Sequence, residues 1–328
     1  MMWLPGRRDN PLVLKFYAAL VLLYCAPVLQ AAPDGCRRGE AGPLATVALL
    51  YKKADVTQSD FQAYWRDIHG MLATRIPGFW TYRQYHIGAA VEELSRQPAD
   101  AGTVKPLDGF ADVTFCTTED IAGLAASPQA ELIRDDEVNV FSSTYLYGAV
   151  AGESETLTRT EPFAQMSWKA DTDHLILLLG KAPGESKADY RHALRRAAEA
   201  VKQQCAPQRL RLNLFQPYDA SAWPAPGVNH QPRQVLDASL ELEFADRKAS
   251  LACLKQHSML AKTPGADGAE RLQLAYSVSH RYAMVADGVI TLLGVRGLPA
   301  TAVIQRLGAD NQTTDAVLQA VYGSGVRP

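Results

Sequence analysis

The chain has 328 residues, 47% of them hydrophobic and 21% charged, with a formal net charge of −2. That is enough apolar material for two domains of ordinary size. The balanced charge offers no basic footprint, so nucleic acid is not an expected partner.

Residues 1–32 read as a leader. Arg7, Arg8 and Lys15 precede an apolar run from Phe16 to Leu29, followed by Gln30-Ala31-Ala32. The run is shorter than the ~20 residues of a spanning helix, so no stable membrane span is expected in the mature chain. A cleaved signal peptide, a mis-assigned start and an uncleaved anchor all fit this segment. Asp9 and the Leu29/Ala31 pair are imperfect for export, and Tyr24 before Cys25 argues against a lipoprotein site. The expected location is periplasmic or extracellular if the leader is real, and cytoplasmic otherwise. Five cysteines (25, 36, 116, 205, 253) include no C-x-x-C motif. Their spacing names no disulfide framework, and buried or idle thiols are the plainer reading.

Ala45 to Tyr51 is a short buried-strand pattern. Thr57-Gln58-Ser59-Asp60 then resembles a helix-start box, and Phe61, Trp65, Ile68 and Leu72 fall on one helical face. Pro77-Gly78 stops that helix, and Phe79 to Ile87 reads as a second strand. After a polar insertion (about 88–106), Asp108-Gly109 opens a strand over Phe110–Phe115. A helix from Thr118 to about Ala126 and a strand near Phe141–Tyr147 complete a β-α-β-β-α-β unit, the ferredoxin-like order.

The pattern then restarts. Strands are expected at His174–Gly180, Arg209–Gln216, Ala238–Phe244 and Leu272–Met284, with helices after Ser186 and over Arg247–Gln256. Lys52 and Lys181, Asp60 and Asp189, Asp108 and Asp237, and Phe115 and Phe244 are each 129 positions apart. A register that long predicts a duplicated unit. Expected boundaries are 45–148 for the first domain, 149–172 for a linker, 173–286 for the second, degenerate domain, and 287–328 for a C-terminal extension. Within that extension Thr313–Tyr322 reads as a short helix. The predicted fold is α+β: two tandem ferredoxin-like units whose sheets pack together within one chain around a barrel-like interior.

Between Ala45 and Tyr147 stand Tyr64-Trp65-x-x-x-His69, Pro77-Gly78, Tyr82-Arg83-Gln84-Tyr85-His86 and Asp108-Gly109-Phe110-Ala111-Asp112-x-x-Phe115. On these motifs the stretch resembles an EthD-family domain of the dimeric α+β barrel superfamily. The second half resembles the family only in frame: His69, Tyr82 and His86 map to Ala198, Arg211 and Phe215. The resemblance implies a small-molecule enzyme. Relatives include isomerases, dehydratases or decarboxylases of aromatic polyketides, and cofactor-free oxygenases; the founder is associated with ether degradation beside a haem monooxygenase system. In 4-methylmuconolactone methylisomerase a helix histidine and a strand tyrosine resemble His69 and Tyr82. Its strand cysteine falls on Val113, so that reaction is not carried over.

His69 is thus the first candidate for proton transfer, since an imidazole titrates near neutral pH. A core or helix-end histidine is the bland alternative. Tyr82 and His86, four apart on a strand, share a face and are candidates for polarising or orienting a substrate oxygen. Trp65, Asp108 and Asp112 are supporting candidates. Asp108 recurs as Asp237 and fits turn chemistry; Asp112 recurs as the acid Glu241. No phosphate-cradling glycine loop, dinucleotide fingerprint or metal-ligand spacing occurs, so no cofactor, haem or metal is predicted. The leading expectation is cofactor-independent acid/base chemistry, a lyase, isomerase or oxygenase, on a small apolar or aromatic oxygenated compound. The alternative is a non-catalytic small-molecule-binding or accessory protein. Either a monomer or a homo-oligomer is compatible, with barrel pairing inside one chain.

Overall fold

A computed structural model describes residues 35–98, 105–159, 172–256 and 270–322. The leader, residues 160–171 of the expected linker and the loop around Lys262–Ala269 lie outside the described residues. In the first half, β1 (Leu44–Lys52), β2 (Thr81–Ala90), β3 (Gly109–Phe115) and β4 (Phe141–Arg159) stand in the order β2-β3-β1-β4. In the second, β5 (Asp173–Gly180), β6 (Arg209–Phe215), β7 (Ala238–Phe244) and β8 (Leu272–Ala286) stand in the equivalent order β6-β7-β5-β8. β4 pairs antiparallel with β6, and β8 pairs antiparallel with β2, so the eight strands close into a ring. A two-residue strand, β9 (Val289–Ile290), adds to the end of β8. Where a linker was expected from residue 149, β4 instead continues to Arg159. Its far half, Ala149 to Arg159, forms the ladder to β6.

Closure explains why these strands read as nearly continuous apolar runs: one face meets helices and the other meets the barrel interior. Outside the first half lie α1 (Gln58–Tyr64), a π-helical turn (Trp65–His69), α2 (Gly70–Ala73), α3 (Thr118–Ala126) and α4 (Pro128–Glu137). Outside the second lie α5 (Lys187–Cys205) and α6 (Arg247–Gln256). Their starts are set locally. Thr57 accepts from Asp60 N, Ser186 from Asp189 N, and Thr117 and Asp120 form a reciprocal capping box. Phe61 and Trp65 anchor α1 and the π turn on the sheet, and Tyr190, Leu194, Ala198 and Val201 anchor α5. Each large apolar side chain so buried contributes about 1.5–3 kcal/mol.

The interior of the ring differs between its ends. Where β1 and β5 begin, it holds ion pairs: Arg211 Nε donates to Asp112 Oδ2 at 3.1 Å, Arg209 Nε to Glu241 Oε1 at 2.5 Å, and Arg281 to Glu243 at 2.5 Å. Toward the other end it is apolar and aromatic, with Leu49, Tyr51, Tyr85, Phe110, Tyr147, Ile176 and Tyr276.

The C-terminal extension forms α7 (Leu292–Leu307) and α8 (Asp315–Tyr322). α7 packs on the π turn, and Leu298 N donates to Asp67 Oδ1 at 2.8 Å. Cysteines expected to be idle are paired instead: Cys36 with Cys116 and Cys205 with Cys253. Among the described residues, no helix is long and apolar enough to cross a membrane.

Candidate active site

The helix carrying His69 departs from regular α geometry. The expected apolar face ran through Ile68, but Ile68 is 54% exposed while Trp65 and His69 are buried. The π turn is the cause. Gly70 N–H bonds to Trp65 O, five residues back, so one extra residue is accommodated and the following face rotates. His69 therefore points at the sheet where Ile68 would have. Gln84 Nε2, on β2, donates to the same Trp65 carbonyl at 3.0 Å and to the Tyr82 hydroxyl at 2.8 Å. Gly70 is required because a Cβ there would lie 2.2 Å from Gln84 Nε2 and 2.6 Å from Trp65 O.

His69 Nδ1 lies 2.9 Å from Asp136 Oδ2, at the end of α4. The other oxygen of Asp136 accepts from the Tyr64 hydroxyl at 2.6 Å and from Asn139 Nδ2 at 3.0 Å. Burial works against the Asp136 carboxylate, but bonds from His69, Tyr64 and Asn139 outweigh it and hold the carboxyl below its usual range. An ionised Asp136 only accepts, which puts the proton of a neutral His69 on Nδ1 and leaves the Nε2 lone pair for a bound molecule. The ring is braced edge-on by Phe141, 5.1 Å between centroids.

The cavity beside His69 has a volume of about 80 Å³. Its walls include Trp65, Tyr82, Ile133, Leu146 and Trp223, with Glu137 and Thr144 as further polar members. The Tyr82 phenol is pushed up to about 12 by burial, against hydrogen bonds from Gln84 and Trp65. Its oxygen already accepts from Gln84, so its proton is free to be donated. Glu137 Oε1 accepts from Trp223 Nε1 at 2.6 Å, whereas Oε2 and Thr144 Oγ1 are buried without a hydrogen-bond partner. Burial raises the Glu137 carboxyl, with His69 and the Trp223 hydrogen bond pulling it partly back. This wall thus combines an oriented imidazole, a phenol and a carboxyl biased toward its protonated form.

Of the residues singled out in the sequence, Trp65, His69 and Tyr82 meet here. His86 shares the Tyr82 face but does not reach the cavity. It is fully buried behind Trp65, stacked at 4.5 Å, with Nε2 3.2 Å from Gln84 Oε1. Burial, with Arg66 and His280, pushes it well below the usual imidazole range, so it stays neutral. Asp108 is also elsewhere: its carboxylate accepts from Lys52 N at 2.9 Å, and Asp237 accepts from Lys181 N at the same distance. Asp112 faces the barrel interior, opposite its neighbours Ala111 and Val113, which line the cavity. Asp136 and Glu137 do not stand out in the sequence. The start of their helix, Ser127-Pro128, is visible in the sequence, but an acidic pair at the end of a polar helix reads as a solvated face. Among the described residues, no group of three or more His, Cys, Asp or Glu could hold a metal ion.

Comparison with known families decides the first half: residues 53–144 match the EthD domain. The chain carries an EthD domain. His69, Tyr82, Asp136 and Glu137 all fall inside it. No curated protein matches the chain by sequence. Among solved structures, a candidate monooxygenase from Lactobacillus acidophilus NCFM is 11% identical, covering 76% of this chain and 98% of its own, with a TM-score of 0.42. Another, from Fusobacterium nucleatum subsp. nucleatum ATCC 25586, is 7% identical, covering 74% and 95%, with a TM-score of 0.45. An anthrone oxidase-like protein is 10% identical, covering 73% and 92%, with a TM-score of 0.43. The ring itself is defined by the β4–β6 and β8–β2 strand pairings.

Proposed function

We propose that the EthD domain performs cofactor-independent proton transfer on a small apolar molecule bearing an oxygen. The observation that carries this reading is the His69–Asp136 pair in the wall of a cavity that also holds Tyr82 and Glu137. His69 Nε2 takes a proton from the substrate, and Asp136 stabilises the resulting imidazolium. The Tyr82 hydroxyl, or a protonated Glu137, donates to the oxygen on which charge develops. Return of the proton from His69 to another atom of the substrate completes an isomerisation, and its delivery to a leaving group completes an elimination. A volume of about 80 Å³ takes only a few non-hydrogen atoms, so a larger substrate would displace Leu124 or Trp223 at the cavity wall.

In this reading the second half is a duplicated ferredoxin-like unit that closes the barrel and has given up the site, since Ala198 stands at the position matching His69. Two disulfides favour an oxidising compartment, in keeping with export. The test is a panel of phenols, lactones and enolisable ketones followed by mass spectrometry and oxygen uptake. His69→Ala is expected to fold normally and lose about 10²–10⁴-fold in turnover. Turnover that survives His69→Ala unchanged removes the imidazole from the reaction. Consumption of oxygen would assign an oxygenase rather than a lyase or isomerase.

A further inference from the structure

A cavity larger than the one beside His69 lies on the other face of the sheet. It occupies the aromatic end of the barrel and has a volume of about 500 Å³, within the usual range for small-molecule sites. Neighbouring residues on the same strands line the two cavities from opposite faces of the sheet. Leu49, Ser143 and Tyr145 face this one, while Leu50, Thr144 and Leu146 face the His69 cavity. Among the described residues, no lining residue is shared.

We infer that this barrel end is a second small-molecule site, built for a flat apolar body carrying a carboxylate. The body is specified by Leu49, Leu178 and Leu274 together with the rings of Tyr51, Tyr145 and Tyr147. Both halves of the chain contribute, for Leu49 and Leu178 stand 129 positions apart, as do Lys105 and Gln234. The charge is specified by the rim. Among the described residues, Lys105 and Arg233 line the cavity, and no aspartate or glutamate does. Lys105 Nζ sits 5.5 Å from the centre of the Tyr51 ring and donates to Ser142 Oγ at 2.6 Å and to the Lys52 carbonyl at 3.3 Å.

The phenols add to the donor excess. Tyr145 OH accepts from Asn229 Nδ2 at 3.2 Å, and Tyr147 OH accepts from Leu236 N at 3.3 Å. With their oxygens engaged as acceptors, both keep a proton to donate. Gln234 Oε1 is buried at the same wall without a partner and suits one hydroxyl of the ligand. An apolar floor, an aromatic wall and a donor-rich rim together match an aromatic acid better than a neutral or cationic molecule.

The test is calorimetric titration of the whole chain with 2-naphthoate and with its uncharged counterpart, 2-naphthylmethanol. The acid is expected to bind, and the alcohol to bind at least about tenfold more weakly, the worth of one charge-assisted hydrogen bond. Lys105→Ala, at an exposed position, is expected to erase that difference. Ser143→Trp, which fills the cavity, is expected to abolish binding with the fold checked by circular dichroism. His69→Ala is expected to leave naphthoate binding unchanged. Absence of naphthoate binding, equal affinity for the alcohol, or indifference to Lys105→Ala would overturn the inference. So would loss of binding in His69→Ala, which would locate the probe in the other cavity. The proton-transfer reading stands or falls separately, because none of these outcomes measures turnover.

Discussion

Replacing Gly70 by alanine separates two physical expectations of opposite sign. In an ordinary helix interior, Gly→Ala stabilises by about 1 kcal/mol, because alanine has less backbone freedom to lose. At Gly70 the new Cβ would stand 2.2 Å from Gln84 Nε2 and 2.6 Å from Trp65 O. The second is backbone, and the first belongs to a fully buried side chain already bonded to Trp65 O and Tyr82. Relieving such an overlap costs about 1–3 kcal/mol, and losing the Gln84–Trp65 hydrogen bond costs about 1 more. After the propensity gain, Gly70→Ala is expected to destabilise by about 1–3 kcal/mol. Urea unfolding at neutral pH should show a lower midpoint with an unchanged slope, and the melting temperature should fall by about 2–6 °C. A structure of the variant should show the π turn straightened and His69 drawn away from Asp136, because one residue corresponds to about 100° of helix rotation. A Gly70→Ala protein more stable than the parent, with His69 still on Asp136, would refute this account of how the imidazole is aimed.

Two further outcomes can be measured without knowing a substrate. Reducing the disulfides, or replacing Cys205 and Cys253 by serine, should lower the unfolding midpoint. The chain-entropy argument assigns about 4 kcal/mol to closing a 48-residue separation and somewhat more to the 80 residues between Cys36 and Cys116; identical melts with and without reductant would contradict both pairings. Glu241 is held well below the usual carboxylate range, where burial is opposed and outweighed by Arg209 and His174. Its contribution is therefore complete above its unfolded pKa of ~4.3 and drains away as pH falls toward the depressed folded value. Glu241→Gln should cost about 3–5 kcal/mol at pH 7 by leaving Arg209 buried without its carboxylate, and should flatten the acid limb of the stability profile. An acid limb of undiminished slope in that variant would assign the effect to other groups.

How much of this was legible beforehand depends on whether the information is local. The strands announce themselves as apolar runs because each is covered on both faces, and the capped helix starts are written in Thr57/Asp60 and Ser186/Asp189. His69 and Tyr82 were found through a recognisable motif. The π turn was not, since regular helical spacing assigns the inward position to Ile68, and only contact with Gln84 and the crowding at Gly70 show otherwise. Asp136 reaches His69 across 67 residues, and Glu137 owes its burial to Trp223, 86 residues away. No window of sequence holds both partners. His86 was placed on the correct strand face, but the indole that seals it off comes from a different element.

The eight-strand ring has a last consequence. A barrel assembled from two chains obeys mass action, so at low concentration it parts into halves with bare strand edges. Here the β4–β6 and β8–β2 seams join segments of one polypeptide, and neither disulfide crosses them. Their closure is unimolecular. Dilution, which would dismantle a two-chain ring, leaves this one shut.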